Sequence, residues 1–182
     1  IIDGKISYIY NREVGKDMSS EVMPIVRRAF EQAKITPSEL DKIFAVNGPG
    51  SFTGIRVGLT VAKTMAWTLN IPVIPISSLE AIASTPNQGV NIALIDARRG
   101  YVYAGAYDEN LNQIMEDKHV LLEDIDIAGT FVSYDNFDGI KPNIDIIKII
   151  EKHKNDTPVN PHNLNPKYLK LTEAEENLKK KK

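Results

Sequence analysis

Runs of apolar residues with strand or helix spacing divide the chain into short segments of regular structure. The apolar run 43–46 predicts a buried strand, and residues 55–69, which contain no proline, predict a long helix. A second helix is predicted from about residue 20 to residue 34, where apolar side chains recur at helical spacing behind a serine cap. That stripe consists of Val22, Ile25, Val26, Ala29, Phe30 and Ala33. We interpret it as core packing, with a surface shared with a partner as the alternative.

The remaining pattern predicts an α/β chain with two series of strands. The pair Asp3-Gly4 predicts the tight turn of a hairpin over residues 1–14. Further strands are predicted over 71–76, 91–96, 101–107, 111–119 and 131–134, and shorter helices over 77–83 and 144–150. Because a second series of strands begins near residue 91, we divide the chain into lobes of residues 1–85 and 86–182. The tail ends in four lysines and is expected to be solvated.

A glycine-rich loop joins the strand 43–46 to the long helix. This arrangement can hold a phosphate, because glycines let the backbone approach a ligand and the helix start offers free N–H groups. The candidate phosphate-binding residues are Gly48, Gly50, Ser51, Thr53 and Gly54. However, a P-loop needs Lys-Ser/Thr after its last glycine, where this chain has Ile55-Arg56, and the dinucleotide motif needs a different glycine spacing. The pattern therefore favours a tight turn capped by Ser51 or Thr53, with phosphate binding as the alternative.

The long helix also carries a face of small residues. Gly54, Gly58, Ala62 and Ala66 recur every four positions, so another backbone could approach this face closely. We interpret the face as lying on the chain's own sheet, and a close contact with a partner helix is the alternative.

Composition excludes several classes of function. The chain has 182 residues, a formal net charge of −2 and no cysteine, so disulfides, thiolate nucleophiles and cysteine metal sites are absent. No apolar run is long enough for a transmembrane helix. The three histidines form no H-x-x-x-H pair, and there is no G-x-S-x-G elbow. Asp96 with Arg98 and Arg99 is the one charged cluster beside a strand end, and we interpret it as a capped turn, with an anion site or catalytic carboxylate as the alternative.

Several segments together resemble one protein family. Residues 47–58, Asn-Gly-Pro-Gly-Ser-Phe-Thr-Gly-Ile-Arg-Val-Gly, closely resemble the signature of the bacterial TsaB (YeaZ) family. The resemblance continues at residues 62–63, 71–73, 77–80, 94–100 and 166–169. It implies an actin-like ATPase, ribonuclease H-like fold with two lobes. The family's usual first strand, ending in Asp-Thr-Ser, is not found, and the segment 129–166 is short, so we expect the second lobe to be reduced or incomplete.

The resemblance also implies a role. Members of this family are non-catalytic partners of the paralogue TsaD, in a complex that transfers a threonylcarbamoyl group to adenosine in tRNAs reading codons that begin with adenine. The implied partners are TsaD and the ATPase TsaE, and a homodimer is implied in the absence of TsaD. Contact with tRNA is implied only through the complex, and no contact with a membrane is implied. The resemblance implies no cofactor of its own, ATP or ADP only within the complex, and a cytoplasmic location. The implied partner-binding residues are Val22, Met23, Val26, Phe30, Gly58, Ala62 and Met65.

Two other functions remain as alternatives. One is an enzyme of the same fold, either a sugar-kinase-like phosphotransferase or a peptidase, which would need an intact phosphate loop or a nucleophile with its base. The other is a simple nucleotide-binding module. The sequence contains no complete catalytic set for either enzyme.

Overall fold

The chain forms two compact units, which the computed structural model describes over residues 1–11 and 17–170. The first unit comprises Ile1–Ile76 and Asp145–Pro166, and the second comprises Ser77–Ile144 and Lys167–Lys182. This division differs from the expected lobes 1–85 and 86–182. The end of the predicted hairpin and the lysine tail lie outside the described residues.

The described residues of the first unit form three α-helices and a two-stranded sheet. Its helices are α1 (Met18–Ala33), α2 (Phe52–Leu69) and α4 (Ile146–His153), and its strands are β1 (Ile43–Gly48) and β2 (Val73–Ser77), whose last residue belongs to the second unit. The region 145–166 joins this unit because Val159 forms a bridge with Val73, and Leu164 is buried in the same core. No helix among the described residues is both long and apolar enough to cross a membrane.

Local chemistry sets both ends of α2. The Ser51 side chain accepts a hydrogen bond from the N–H of Gly54 at 3.3 Å, which satisfies one of the free donors at the helix start. Asn70 ends the helix in the left-handed conformation, with φ of 51°. Between these ends α2 packs on β1 and buries Leu59, Ala62 and Ala66. The prediction of Ser51 as a cap is therefore confirmed, and the helix begins three residues earlier than expected.

The described residues of the second unit form a four-stranded sheet with one short α-helix. Its elements are α3 (Ser78–Ala83), β3 (Asn91–Asp96), β4 (Tyr101–Tyr107), β5 (Gln113–Leu121) and β6 (Thr130–Val132), and the strand order is β5-β4-β3-β6. The β3–β4 and β4–β5 pairs are antiparallel, whereas β3 and β6 are parallel. Helix α3 belongs to this unit because it packs on β3 and β4. These strands occur close to where the sequence predicts them.

One face of this sheet is the core of the second unit. Ile92, Leu94, Val102, Ala104 and Ala106 are buried together there, and side chains from the segment after β5 pack on them. Tyr101 and Tyr103 alternate with these residues along β4, so they lie on the opposite face.

Two predictions near the start of the chain are wrong. Residues 6–11 form no strand, and the turn at Asp3-Gly4 is closed only by a bridge between Ile2 and Lys5. An isolated two-residue pairing buries little apolar surface, which is too little to order a hairpin. Helix α1 is preceded by Asp17 rather than a serine cap, and Asp17 makes no side-chain capping bond.

Candidate functional site

Helix α1 presents an apolar stripe that its own unit does not bury. The helix runs beside α2, and yet none of its residues is buried, although its apolar side chains recur at helical spacing. The predicted core packing of this stripe is therefore only partial. A half-exposed stripe of this kind commonly marks a surface that contacts another chain.

Two apolar depressions lie along α1, and we call them together the helix-pair surface. The first has a volume of about 630 Å³ and lies between α1, β1 and α2. The second has a volume of about 660 Å³ and lies between α1 and α2 near Pro37 and Leu69. Val26, Phe30 and Met65 line both depressions, so the two form one continuous surface.

The structure brings all seven predicted partner-binding residues to the helix-pair surface. Val22, Val26, Phe30, Gly58, Ala62 and Met65 line the first depression, and Met23 lines the second. Met23 is 53% exposed, so its side chain is available to a partner at this surface. Gly58 is also open, because a Cβ placed there would meet no atom within 4 Å.

Ala62, one of the seven predicted partner-binding residues, is buried rather than exposed. Its side chain is only 8% exposed and packs in the core with Leu59, Ala66 and Val73. A large charged residue at this position would disturb the core of the first unit, because a close-packed interior does not admit added volume. Ala62 therefore borders the helix-pair surface but cannot serve as a specific probe of it.

The glycine loop is shaped as a tight turn. Gly48 and Gly50 have φ of 115° and 153°, angles that favour glycine, and Gly48 is buried. Ser51 caps α2, so its hydroxyl already occupies the N–H of Gly54. Thr53 is exposed, and a Cβ at Gly54 would touch Met18 and Ser51 at about 3.3 Å. The five candidate phosphate residues thus lie together, while one N–H of the helix start, that of Gly54, is already bound by the Ser51 cap.

The Asp96 cluster is a capped turn, as the sequence favours. The Asp96 carboxylate accepts the N–H of Arg98 at 2.8 Å and lies 3.8 Å from the Arg98 guanidinium. The N–H of Asp96 donates in turn to Asp135, which follows β6. No group of three or more metal-ligating side chains occurs among residues 1–11 and 17–170.

The second unit contains a polar cluster that the sequence does not predict. The Asp117 carboxylate is almost fully buried and accepts hydrogen bonds from Ser77 at 2.5 Å, Tyr107 at 2.6 Å and Lys167 at 2.8 Å. Burial, followed by the neighbouring Asp117, raises the pKa of Tyr107 well above its ordinary value. These residues are far apart in the sequence, so no local motif indicates them. The cluster ties Lys167 to the sheet.

A model of one protein family matches most of the chain. The family is described as TsaD, tRNA N6-adenosine threonylcarbamoyltransferase, and the match covers residues 9–163. The chain is 41% identical to the tRNA threonylcarbamoyladenosine biosynthesis protein TsaB of Bacillus subtilis over 114 residues, which is 60% of this chain and 50% of the relative. It is 36% identical to the Haemophilus influenzae protein of the same name, over 47% of this chain and 38% of the relative.

Solved structures agree with these relatives. YeaZ from Pseudomonas aeruginosa superposes with a TM-score of 0.70 at 22% identity, over 86% of this chain and 87% of the other. The fold is therefore that of YeaZ, the expected two-lobed, actin-like α/β fold. The chain spans about half the length of the curated relatives it matches. The chain belongs to the family described as TsaD, tRNA N6-adenosine threonylcarbamoyltransferase, and within it to the TsaB (YeaZ) proteins.

Proposed function

We propose that this protein is a non-catalytic subunit that pairs with a TsaD protein in the complex that adds threonylcarbamoyl groups to adenosine in tRNA. The observation that carries the proposal is the helix-pair surface, an apolar face lined by the predicted contact residues, of which all but the buried Ala62 are at least partly exposed. Relatives of the chain are named for the biosynthesis of this modified nucleoside. A TsaE ATPase is a further expected member of the assembly, and a cytoplasmic location follows from the same role.

We propose that the same surface also forms a homodimer in the absence of TsaD. An apolar groove in water is stabilised by any partner that buries it, at about 25 cal/mol per Å² of apolar area removed from water. We expect two copies to pair through α1 and α2 and to exchange for TsaD, because both would cover the same face.

The proposal assigns catalysis and nucleotide chemistry to the other subunits. Ser51 caps α2, and Ile55-Arg56 stand where a P-loop would have Lys-Ser/Thr, which favours a structural turn over a phosphate site. We therefore expect no cofactor on the isolated protein and ATP or ADP only within the complex. The phosphotransferase or peptidase alternative would require hydrolysis by the isolated chain.

Gly58→Arg tests the helix-pair surface directly. Gly58 is exposed and a side chain there meets no neighbour, so we expect the variant to fold normally. We expect it to lose pairing with itself and with TsaD, because a charged side chain would be buried unpaired in an apolar contact. Size-exclusion chromatography with light scattering, on the protein alone and mixed with TsaD, measures both.

Thr60→Arg is the matched control. Thr60 is exposed on the same helix but lines neither depression, so the same new side chain should leave both assemblies intact. If wild type forms no complex with TsaD, the proposed role is wrong. If Gly58→Arg assembles as well as Thr60→Arg, the partner binds another face.

A further inference from the structure

We propose that the Tyr101–His119–Tyr103 face of the second unit, with the Arg98-Arg99 turn beside it, binds single-stranded RNA directly. The choice of RNA as the ligand rests on the proposed role in tRNA modification. That role by itself requires only that the complex, not this chain, contacts tRNA. The proposal adds a site on this chain and the class of ligand that it takes.

The three rings form a platform on the sheet face opposite the core of the second unit. Tyr103 pairs with His119 across β4 and β5, and Tyr101 pairs with Leu121, so all four side chains share one face. The His119 ring stacks on Tyr101 with centroids 4.7 Å apart and planes within 4°, and it contacts Tyr103 at 5.4 Å.

The platform is open at its Tyr101 end. The beginning of α3 lies at the other end of this face, where Ser77 hydrogen-bonds Asp117 beside Tyr107. Tyr101 is 38% exposed, so part of its ring is accessible to a ligand. Because His119 already covers one face of the Tyr101 ring, an unpaired base would stack on the other face, as bases do on sheet aromatics in several RNA-binding domains.

The turn at the end of this platform is held in an unfavourable conformation. Arg98 and Arg99 have φ of 71° and 57°, and Gly100 follows with 77°. Two consecutive residues with a side chain in the left-handed region are unfavourable, and asparagine or glycine would fit better there. The strained turn places two guanidinium groups at the tip of the hairpin that carries Tyr101.

The Arg98 guanidinium lies 3.8 Å from the Asp96 carboxylate and both side chains are exposed, so a phosphate would compete only with a weak surface ion pair. Backbone N–H groups at the strand ends engage the two nearby carboxylates, Asp96 and Asp135. The Arg98 side chain is 87% exposed, and the structure gives Arg99 no ion pair within the part of the chain that it describes. Guanidinium groups bind phosphate oxygens in two-point contacts, so bases on the rings and phosphates at the tip would engage one RNA strand together.

The platform favours a single strand over a duplex. Bases in an A-form helix are already stacked on one another, and only an unpaired base offers a face to Tyr101. A protein partner is the other candidate for this face. It would not require an unpaired nucleobase and should be insensitive to competition by RNA.

Nuclear magnetic resonance on the isolated chain tests the site even when binding is weak. Titration with a short single-stranded oligoadenylate should shift residues 95–103 and 119–121, and a duplex RNA of equal length should shift them less. Tyr101→Ser should weaken the affinity about 5- to 160-fold, which corresponds to the 1–3 kcal/mol of one stacked base, and Tyr101→Phe should keep the wild-type affinity.

The paired variant Arg98→Asn/Arg99→Asn tests the phosphate contacts. Asparagine tolerates the left-handed conformation, so the fold should be kept or stabilised while affinity falls. The slope of log affinity against log salt should decrease by about 1.4, the effect of two phosphate contacts on a single strand at about 0.7 each. Lys118→Asn is the matched control, because Lys118 pairs with Ala104 on the opposite face and should change the slope little.

The outcomes separate this site from the proposed function. The RNA site is wrong if the titration gives no shifts, or gives shifts only at other residues. It is also wrong if duplex RNA gives an equal response, or if Lys118→Asn has as large an effect as the arginine variant. Assembly with TsaD is measured separately and should be unchanged in all these variants, because they lie outside the helix-pair surface. A protein that binds oligoadenylate here but never pairs with TsaD would overturn the proposed function and leave the RNA site standing.

Discussion

At the scale of single residues, the buried Asp117 cluster shows how a few side chains constrain their neighbours. A Cβ at Gly105 would overlap the Asp117 carboxylate, so the residue opposite the cluster must be glycine. Tyr107, Ser77, Lys167 and Gln113 all donate hydrogen bonds to that carboxylate. A buried carboxylate with this many donors is stable only as a complete set, because leaving one buried polar group unsatisfied costs about 1–3 kcal/mol.

Tyr107 gives the protein a specific dependence on alkaline pH. Its pKa is raised in the folded state, so the stability linked to the neutral phenol is complete below the unfolded value near 10 and is lost as the pH rises above it. We expect Tyr107→Phe to lower the free energy of unfolding by about 2 kcal/mol near neutral pH, through loss of the hydrogen bonds to the charged Asp117 and to Gln113. Urea denaturation at several pH values should show this difference shrinking above about pH 10. A difference that is constant with pH would contradict it.

At the scale of secondary structure, the small residues that recur every four positions along α2 are partly buried and partly exposed. Ala62 and Ala66 are buried in the core, whereas Gly58 is exposed beside the helix-pair surface. The interpretation of the whole face as core is thus correct for the two alanines and not for Gly58. A period of four residues drifts around a helix of 3.6 residues per turn, so one such series need not stay on one face.

Gly58→Ala should stabilise the isolated protein. A Cβ at this position meets no atom within 4 Å, and alanine restricts the unfolded chain, so we expect a gain of about 0.5–1 kcal/mol in the free energy of unfolding. Urea denaturation measures the gain. A loss of stability instead would show that a neighbouring chain segment already occupies the open side of Gly58.

At the scale of the whole molecule, each of the two units carries a different proposed binding surface. The first presents the helix-pair surface, which we propose for protein partners, and the second presents the aromatic platform, which we propose for RNA. The formal net charge of −2 agrees with an RNA contact that is confined to one local patch and supported by the rest of a complex.

ATP with magnesium should not stabilise the isolated protein. A ligand present at about 100 times its dissociation constant stabilises a fold by about 2.7 kcal/mol, which in a chain of this size is a shift of several degrees in Tm. We expect no shift, because Ser51 caps the start of α2 and no lysine follows the glycine loop. Thermal unfolding with and without ATP and magnesium checks this. A clear increase in Tm would contradict this expectation and indicate that the glycine loop binds phosphate.

Periodicity and local chemistry in the sequence by themselves determined most helices and strands, the Ser51 cap, the capped turn at Asp96 and the family. These features depend on residues that are neighbours along the chain, so their signals are written locally. Only the tertiary structure decided that Ala62 is buried, that 145–166 returns to the first unit, that Asp117 meets Lys167 and that His119 stacks on Tyr101. Each of these depends on contacts between residues distant in sequence, which follow from how the elements pack together.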